Sequence, residues 1–318
     1  MRAPELDPEL AAVVEEIRAM GLPDWHQCSV ESARRTEDEV FSGEPEPPVA
    51  DVRDLAFDGP HGDVPVRVYR PENAVAAARG SGPRARTIVY FHGGGWTLGT
   101  LDSIDGLCRE LATRSNAVVV SVDYRLAPEH PFPVAVDEAA AAVEWVADVV
   151  TRFGGSPDRL GVAGTSAGGT LALAAALHGR EFGGPDLAGQ FLLYPIAGRV
   201  GETDAYRENA DGPLLTRADM AWFMEQYLRS PVDAYNPFAL PLAADDLGGL
   251  PPATVVTAGY DPLRDDGLAL VDRFEAEGTT VRGRHYPSMA HGFLSVSDRV
   301  SVAAEALAAV AGDVRDRL

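Results

Sequence analysis

The sequence predicts an α/β protein whose mostly parallel sheet is covered by helices on both faces. Short, apolar, β-rich runs alternate with longer helical stretches through most of the chain, the pattern of strands joined by crossover helices. The middle runs are apolar almost without interruption, as in strands that are buried on both faces. A length of 318 residues and a hydrophobic content of 46% are sufficient for one large α/β domain or two smaller ones.

The first segment of the chain predicts a packing helix. Its apolar residues recur at helical spacing and form one stripe, made by Leu6, Leu10, Val13, Val14, Ile17 and Met20. Beyond it, the predicted strands are DVPVRVYR (63–70), RTIVYFH (86–92), AVVVSVDYR (117–125), RLGVAG (159–164), GQFLLYPIA (189–197), ATVVTAG (253–259) and TVRGRHYP (280–287). The predicted helices between them are PVAVDEAAAAVEWVADVVTRF (133–153), AGGTLALAAALHGREF (167–182) and RDDGLALVDRFEAEG (264–278).

Two stretches predict loops, SGEPEPPVAD (42–51) and PENAVAAARGSGPRAR (71–86). An insertion near 198–235 interrupts the alternation of strands and helices and contains the aromatic-rich stretch RADMAWFMEQYLRS. This insertion either forms a lid together with the N-terminal helix or packs as a surface excursion.

The acidic composition argues against several partners. Asp and Glu outnumber Lys and Arg by 48 to 27, whereas binding to nucleic acid or anionic lipid requires basic side chains. The sequence contains no run of about 18 apolar residues, so it predicts no membrane span. Its first residues resemble neither a signal peptide nor a transit peptide. Cys28 and Cys108 lack metal-ligand spacing, which favours free thiols in a reducing compartment. We therefore expect a soluble cytoplasmic protein.

The stretch LGVAGTSAGG (160–169) places one hydroxyl, that of Ser166, among glycines. A predicted strand ends just before it and an apolar helix begins just after it, the context in which G-x-S-x-G exposes a nucleophilic serine. Glycine is expected at 164 and 168 because side chains there would collide with neighbouring elements. The motif alone is weak evidence, because a serine nucleophile also needs a base and an acid that orients the base.

Asp261 and His291 are the candidate acid and base. Each follows a predicted strand, so both are expected at the carboxyl edge of the sheet, where open α/β sheets carry their sites. Asp265 and Asp266 compete with Asp261, but they fall in the first turn of a helix, where carboxylates are favoured anyway. Taken singly, His291 could be an ordinary polar residue and Asp261 a turn or cap residue.

The stretch YFHGGGW (90–96) predicts an oxyanion hole. Three glycines after a strand allow backbone N–H groups to converge on a substrate carbonyl, and the N–H of Ala167 completes the set. A glycine-rich turn could instead bind phosphate, but this one lacks the GKS or GKT ending of a P-loop and opens no dinucleotide fingerprint.

Four ordered motifs, HGGGW, DYRLAPEHPFP, GTSAGG and DPLRDD, followed by HGF, resemble those of the hormone-sensitive lipase family of α/β hydrolases, which includes the bacterial family IV carboxylesterases. The resemblance covers about residues 50–318. It implies the α/β-hydrolase fold, with a mostly parallel eight-stranded sheet, flanking helices and a helical cap. It also implies a catalytic domain over 51–318, interrupted by a cap insertion near 198–235, and an N-terminal cap segment over 1–50.

The resemblance implies roles for single residues. The implied nucleophile, acid and base are Ser166, Asp261 and His291, and the implied oxyanion donors are Gly94, Gly95 and Ala167. His92 is implied to organise its loop and not to act as the base. Thr165 stands where many members have aspartate in GDSAG, and the GTSAG form resembles a recognised branch of the family. This departure leaves the triad intact but bears on neighbouring hydrogen bonds and substrate range.

The expected activity is hydrolysis of small-molecule esters through an acyl-enzyme, without a metal or organic cofactor, and the resemblance implies short to medium acyl chains. Aromatic residues beside the oxyanion turn and in the cap either restrict the substrate pocket or belong to the core: Trp96, Trp222, Phe223 and Tyr227. Two other functions stay open, an amide or formamide hydrolase with the same triad and a receptor-like binding protein that has lost catalysis. A homodimer is expected by analogy with family members.

Overall fold

The computed structural model describes residues 1–43 and 46–318. Within them, one sheet is formed by β1 (Asp51–Gly59), β2 (Gly62–Arg70), β3 (Ala85–Phe91), β4 (Ala117–Val122), β5 (Gly155–Thr165), β6 (Gly189–Leu193), β7 (Ala253–Tyr260) and β8 (Val281–Ala290). The helices are α1 (Pro8–Ala19), α2 (Val30–Phe41), α3 (Glu72–Ala78), α4 (Asp105–Ser115), α5 (Val134–Val149), α6 (Ala167–Phe182), α7 (Asp204–Glu208), α8 (Arg217–Tyr227), α9 (Arg264–Ala276) and α10 (Ser301–Arg317). Short 3₁₀ turns lie at Trp25–Gln27, Val150–Phe153, Pro231–Tyr235, Pro241–Ala243 and Phe293–Val296.

The strand order in the sheet is β1-β2-β4-β3-β5-β6-β7-β8. The second strand pairs antiparallel with both of its neighbours, and every other pairing is parallel. The expectation of a mostly parallel eight-stranded sheet flanked by helices is therefore confirmed. Because the parallel strands share one direction, the loops after β3, β5, β7 and β8 meet at one edge of the sheet.

Two hydrophobic cores cover the two faces of the sheet. One contains the buried sides of α5, α6 and α9, and the other contains those of α1, α4 and α10. In the predicted N-terminal helix, Leu10, Val13 and Val14 are buried in the second core, whereas Met20 is 59% exposed. No helix in the described ranges is long and apolar enough to cross a bilayer.

Two local predictions are wrong. The sequence predicts no strand at β1, which lies at the sheet edge with only Phe57 buried and therefore has no apolar run. The sequence also predicts a loop over 71–86, but α3 forms there; this seven-residue helix buries only Ala74 and leaves no apolar stripe to detect. The loop predicted over 42–51 includes residues 44 and 45, which lie outside the described part of the chain; β1 begins at its last residue.

Candidate active site

Ser166 occupies the sharp turn between β5 and α6. Its backbone has φ 53° and ψ −120°, a conformation that costs energy for any residue with a side chain. The strand ends at Thr165 and the helix begins at Ala167, so this one residue absorbs the whole change of direction. The turn places the Ser166 side chain at the sheet edge, where it lines a cavity and is 8% exposed.

Gly164 and Gly168 make this turn possible. A Cβ atom on Gly164 would lie 2.2 Å from the carbonyl oxygen of Gly168, and one on Gly168 would lie 2.0 Å from that of Phe91. Both obstructing atoms are backbone, so they cannot swing aside as a side chain would. The collisions expected from the sequence are present, and glycine at both positions lets the start of α6 pack against the end of β3.

The three residues of the predicted triad lie in one hydrogen-bonded chain. His291 Nε2 is 3.0 Å from Ser166 Oγ, and His291 Nδ1 is 2.8 Å from Asp261 Oδ2. Asp261 is fully buried, and its Oδ1 accepts a hydrogen bond from the backbone N–H of Leu263. The carboxylate is thus held from both sides, which fixes the orientation of the imidazole.

The two competing carboxylates lie elsewhere. Asp265 accepts a hydrogen bond from the N–H of Ala205 in the insertion and pairs with Arg264. Asp266 accepts hydrogen bonds from the N–H groups of Ala197 and Gly198, where the insertion leaves the sheet. Of the three carboxylates in DPLRDD, only Asp261 is hydrogen-bonded to His291.

The glycine-rich loop after β3 lies against the serine. A Cβ on Gly93 would be 3.4 Å from Ser166 Cβ, so the loop passes directly beside the nucleophile. Gly94 and Gly95 have φ of 100° and 57°, and their N–H groups donate to no acceptor among residues 1–43 and 46–318. Ala167 is the first residue of α6, and N–H groups in a first helical turn have no partner within the helix.

His92 supports this loop from below. It is buried, its Nδ1 lies 2.7 Å from the carbonyl oxygen of Gly93, and its ring stacks on Tyr124 with centroids 4.2 Å apart. The Tyr124 hydroxyl donates in turn to the His92 carbonyl. Burial lowers the pKa of His92 to about 4, so the ring is neutral near pH 7. A neutral ring bonded to the loop stabilises the loop, and the imidazole that is hydrogen-bonded to Ser166 Oγ is that of His291.

The cavity beside the triad has a volume of about 430 Å³. Its floor is the sheet edge with Ser166 and His291, and its walls come from α1, α2 and the stretch 211–223. We call residues 1–43 and 198–235 the cap. The two parts of the cap are joined by Asp219, whose Oδ1 lies 3.0 Å from the backbone N and 2.9 Å from Nδ1 of His26.

Of the four aromatic residues predicted for the pocket, only Phe223 lines the cavity. Its ring fills the space that a side chain on Gly95 would need. Trp96 and Tyr227 are buried behind the wall and stack on each other with centroids 3.9 Å apart, and Trp222 packs on Phe223 from outside the cavity. The pocket role expected for these three is corrected, because their rings pack on other aromatics instead of the cavity.

Comparison with known proteins identifies the family. Residues 88–295 match a protein-family model whose description is "alpha/beta hydrolase fold". The chain belongs to the hormone-sensitive lipase-like family of α/β hydrolases. This α/β hydrolase is 39% identical to Esterase LipI of Mycobacterium tuberculosis, over 95% of this chain and 92% of LipI. It is 34% identical to an ethyl acetate hydrolase of Pseudomonas putida, over 98% and 99% of the two chains.

A solved esterase structure from Pyrobaculum calidifontis superposes on this α/β hydrolase with a TM-score of 0.88. The two chains share 36% sequence identity, and the match covers 98% of each. The likeness therefore extends through the cap as well as the sheet.

Several residues around the site of this α/β hydrolase are not among those predicted from the sequence. Tyr194 follows β6, lines the cavity, and packs edge-on against His291 with ring centroids 4.9 Å apart. Its place directly after a buried strand is a signal that could have identified it. Glu37 and Asp219 also line the cavity, and His26 is bonded to Asp219. Their spacing in the sequence gives no signal, because only tertiary packing brings them together.

Proposed function

We propose that this α/β hydrolase is a carboxylesterase that hydrolyses esters with short to medium acyl chains through an acyl-enzyme. The observation that carries the proposal is the hydrogen-bonded chain from Asp261 through His291 to Ser166, beside a cavity. The names of the relatives above, an esterase and an ethyl acetate hydrolase, support the same reaction class.

In the first half of the proposed reaction, Ser166 Oγ attacks the ester carbonyl while His291 Nε2 takes its proton. Asp261 keeps Nδ1 protonated, so that Nε2 is the free acceptor, and stabilises the imidazolium that forms. His291 then protonates the leaving alcohol, and the acyl group remains on Ser166. In the second half, His291 activates a water molecule that releases the acid and restores the serine.

The oxyanion of both tetrahedral intermediates is assigned to the N–H groups of Gly94, Gly95 and Ala167. The first two have no protein acceptor within the described ranges and so can donate to substrate. Removing one such donor typically costs about 100- to 1000-fold in rate. Every step uses side chains, backbone groups and water, so the proposed reaction needs no cofactor.

The size and walls of the cavity support small substrates. A volume of about 430 Å³ lies in the range of small-molecule sites, and Phe223 narrows the cavity beside the oxyanion loop. In this proposal the cap covers the bound acyl and alcohol groups and excludes water from the reacting centre.

The test is hydrolysis of p-nitrophenyl acetate, butyrate, octanoate and laurate by the wild-type protein and by Ser166→Ala. We expect turnover of the shorter esters and a loss of about 10⁴-fold or more in kcat for Ser166→Ala. Ser230→Ala is the matched control, because Ser230 is exposed in the insertion and does not line the cavity.

Two results would count against the proposal. Equal rates for wild type and Ser166→Ala would remove Ser166 as the nucleophile. A folded wild-type protein that hydrolyses none of the four esters would favour a receptor-like function, and ligand binding would then replace kinetics as the assay.

A further inference from the structure

Glu37 is a carboxyl group in a mostly apolar part of the cavity wall. It lies on α2 and is 9% exposed, and it lines the cavity together with Val40, Leu98 and Ile104. An ionised carboxylate in such surroundings destabilises the protein unless something neutralises it, and a leucine or glutamine would avoid that cost. Its presence therefore calls for an explanation.

Among residues 1–43 and 46–318, no cationic side chain forms an ion pair with Glu37. Its Oε2 is buried and has no hydrogen-bond partner there. The nearest arginine on the helix, Arg34, is instead paired with Glu129 at 2.7 Å. Burial raises the pKa of Glu37 to about 7, and the neighbouring Asp38 adds to the rise, while neutral hydrogen-bond donors, the Ser103 side chain and the Gly99 backbone, lower it.

The rest of the lining adds negative charge. Its charged side chains besides Glu37 and the triad histidine are Arg18, Asp24, Asp211 and Asp219. The one arginine is paired with Glu15 at 3.2 Å, so the lining offers no unpaired cation. The whole chain carries a formal charge of −21, and a cleft whose charged lining is mostly acidic concentrates cationic ligands.

We propose that Glu37 forms a cation subsite, which selects esters that carry a protonated amine in their acyl or alcohol part. Because Glu37 lines the cavity, an ammonium group bound there would give its carboxylate a charged hydrogen-bond donor, which no residue in 1–43 or 46–318 provides. Such charge-assisted bonds are the strong ones, and a buried unpaired partner makes the gain larger. This inference rests on the proposed esterase activity and adds a substrate class to it.

The test compares esters that differ only in charge. In the alcohol half the pair is 3-(dimethylammonio)propyl butyrate and its neutral isostere 4-methylpentyl butyrate. In the acyl half the pair is ethyl 4-(dimethylammonio)butanoate and ethyl 5-methylhexanoate. Rates are followed by pH-stat at pH 8, where Glu37 is ionised and the amines are protonated.

The readout is the ratio of kcat/KM for the charged ester to that for its neutral isostere. We expect Glu37→Gln to lower this ratio about tenfold or more in at least one pair, because glutamine keeps the shape and loses the charge. Glu39→Gln, the same change at an exposed position of α2, should leave the ratio unchanged. A change of less than threefold in both pairs for Glu37→Gln would overturn the proposal.

Two further measurements keep the result interpretable. Hydrolysis of p-nitrophenyl butyrate by each variant reports esterase activity separately, so a failure of the proposed function is distinguished from a failure of the subsite. If Glu37→Gln does not fold, the subsite is tested instead by inhibition of the wild-type protein with butylammonium and with 1-butanol. Butylammonium should then inhibit more strongly than 1-butanol, and equal or weaker inhibition by butylammonium would overturn the subsite.

Discussion

The sheet edge and the cap border the same cavity but are specified in different ways. At the sheet edge, backbone constraints place the groups: Ser166 has a positive φ, and Gly164 and Gly168 leave no room for a side chain. In the cap, side chains from segments far apart in the chain make the wall, and one carboxylate, Asp219, joins them. The chemistry is thus fixed by local geometry, whereas the shape of the pocket depends on tertiary packing.

The largest effect is expected from the acid of the triad. Asp261→Asn should lower kcat about 10⁴-fold, because asparagine no longer holds the imidazole in the tautomer that accepts the serine proton. Asp265→Asn should lower it less than tenfold, since Asp265 bonds to Ala205 and Arg264 and not to His291. Steady-state rates on p-nitrophenyl butyrate check both variants. A large loss in Asp265→Asn with little change in Asp261→Asn would reassign the acid.

The backbone constraint at the sheet edge is tested by Gly168→Ala. The added Cβ would lie 2.0 Å from the carbonyl oxygen of Phe91 and 2.4 Å from that of His92, so we expect a loss of about 5 kcal/mol or more in the free energy of unfolding. Gly179→Ala on the same helix has nothing within 4 Å and should stabilise by about 0.5–1 kcal/mol. Urea denaturation measures both variants. Equal unfolding free energies for the two variants would show that the close backbone contact at Gly168 does not exclude a side chain.

At the junction between the sheet edge and the cap, Asp266 is expected to make the unfolding free energy depend on pH. Asp266 holds the start of the insertion, and burial raises its pKa to about 7. The unfolded chain loses this proton near pH 4, so the contribution of the protonated group to stability is present below about pH 4 and is lost as the pH rises through 7. In Asp266→Asn, the fall in unfolding free energy between pH 4.5 and 7.5 should be smaller by about 2–4 kcal/mol.

Urea denaturation at a series of pH values measures this difference. The exposed Asp272→Asn serves as the control and should follow the wild-type curve. Parallel curves for wild type and Asp266→Asn would show that Asp266 keeps an ordinary pKa in the folded protein.

The smallest effect is expected from the wall of the cap. Phe223→Ala should raise the rate on octanoate relative to acetate about tenfold, because it removes the ring that lines the cavity beside Gly95. Trp222→Ala should leave the ratio within about twofold, because that ring packs outside the cavity. The p-nitrophenyl ester series measures both. An unchanged chain-length profile in Phe223→Ala would remove this residue from the substrate pocket.

The sequence predicted the sheet edge better than the cap for a physical reason. Ser166 and Asp261 follow strands with clear apolar runs, His291 follows the more polar last strand, and the parallel order of those strands brings all three to one edge. The positions where glycine is required also show in the sequence, since only glycine allows such close backbone contacts. Fold and candidate triad therefore follow from short, local patterns.

The sequence does not predict which way the aromatic side chains near the site, or Glu37, are oriented. Trp96 follows the glycine turn directly, yet a φ of 58° turns its ring onto Tyr227 and away from the cavity. Glu37 is one of several acidic residues on a short helix, and nothing in the spacing shows that α2 presents this one inward. Both outcomes depend on how the cap packs on the sheet, which one sequence does not reveal.

The bond between His26 and Asp219 has a consequence for how the protein is made. These residues are separated by 193 positions in the chain, so at typical synthesis rates the second emerges roughly 10–40 s after the first. The core around the apolar side of α1 is completed later still, because it includes Met289 and Phe293. During that interval part of the core that covers α1 has not yet been synthesised, so we expect the apolar side of this N-terminal helix to need protection from aggregation until the chain is complete.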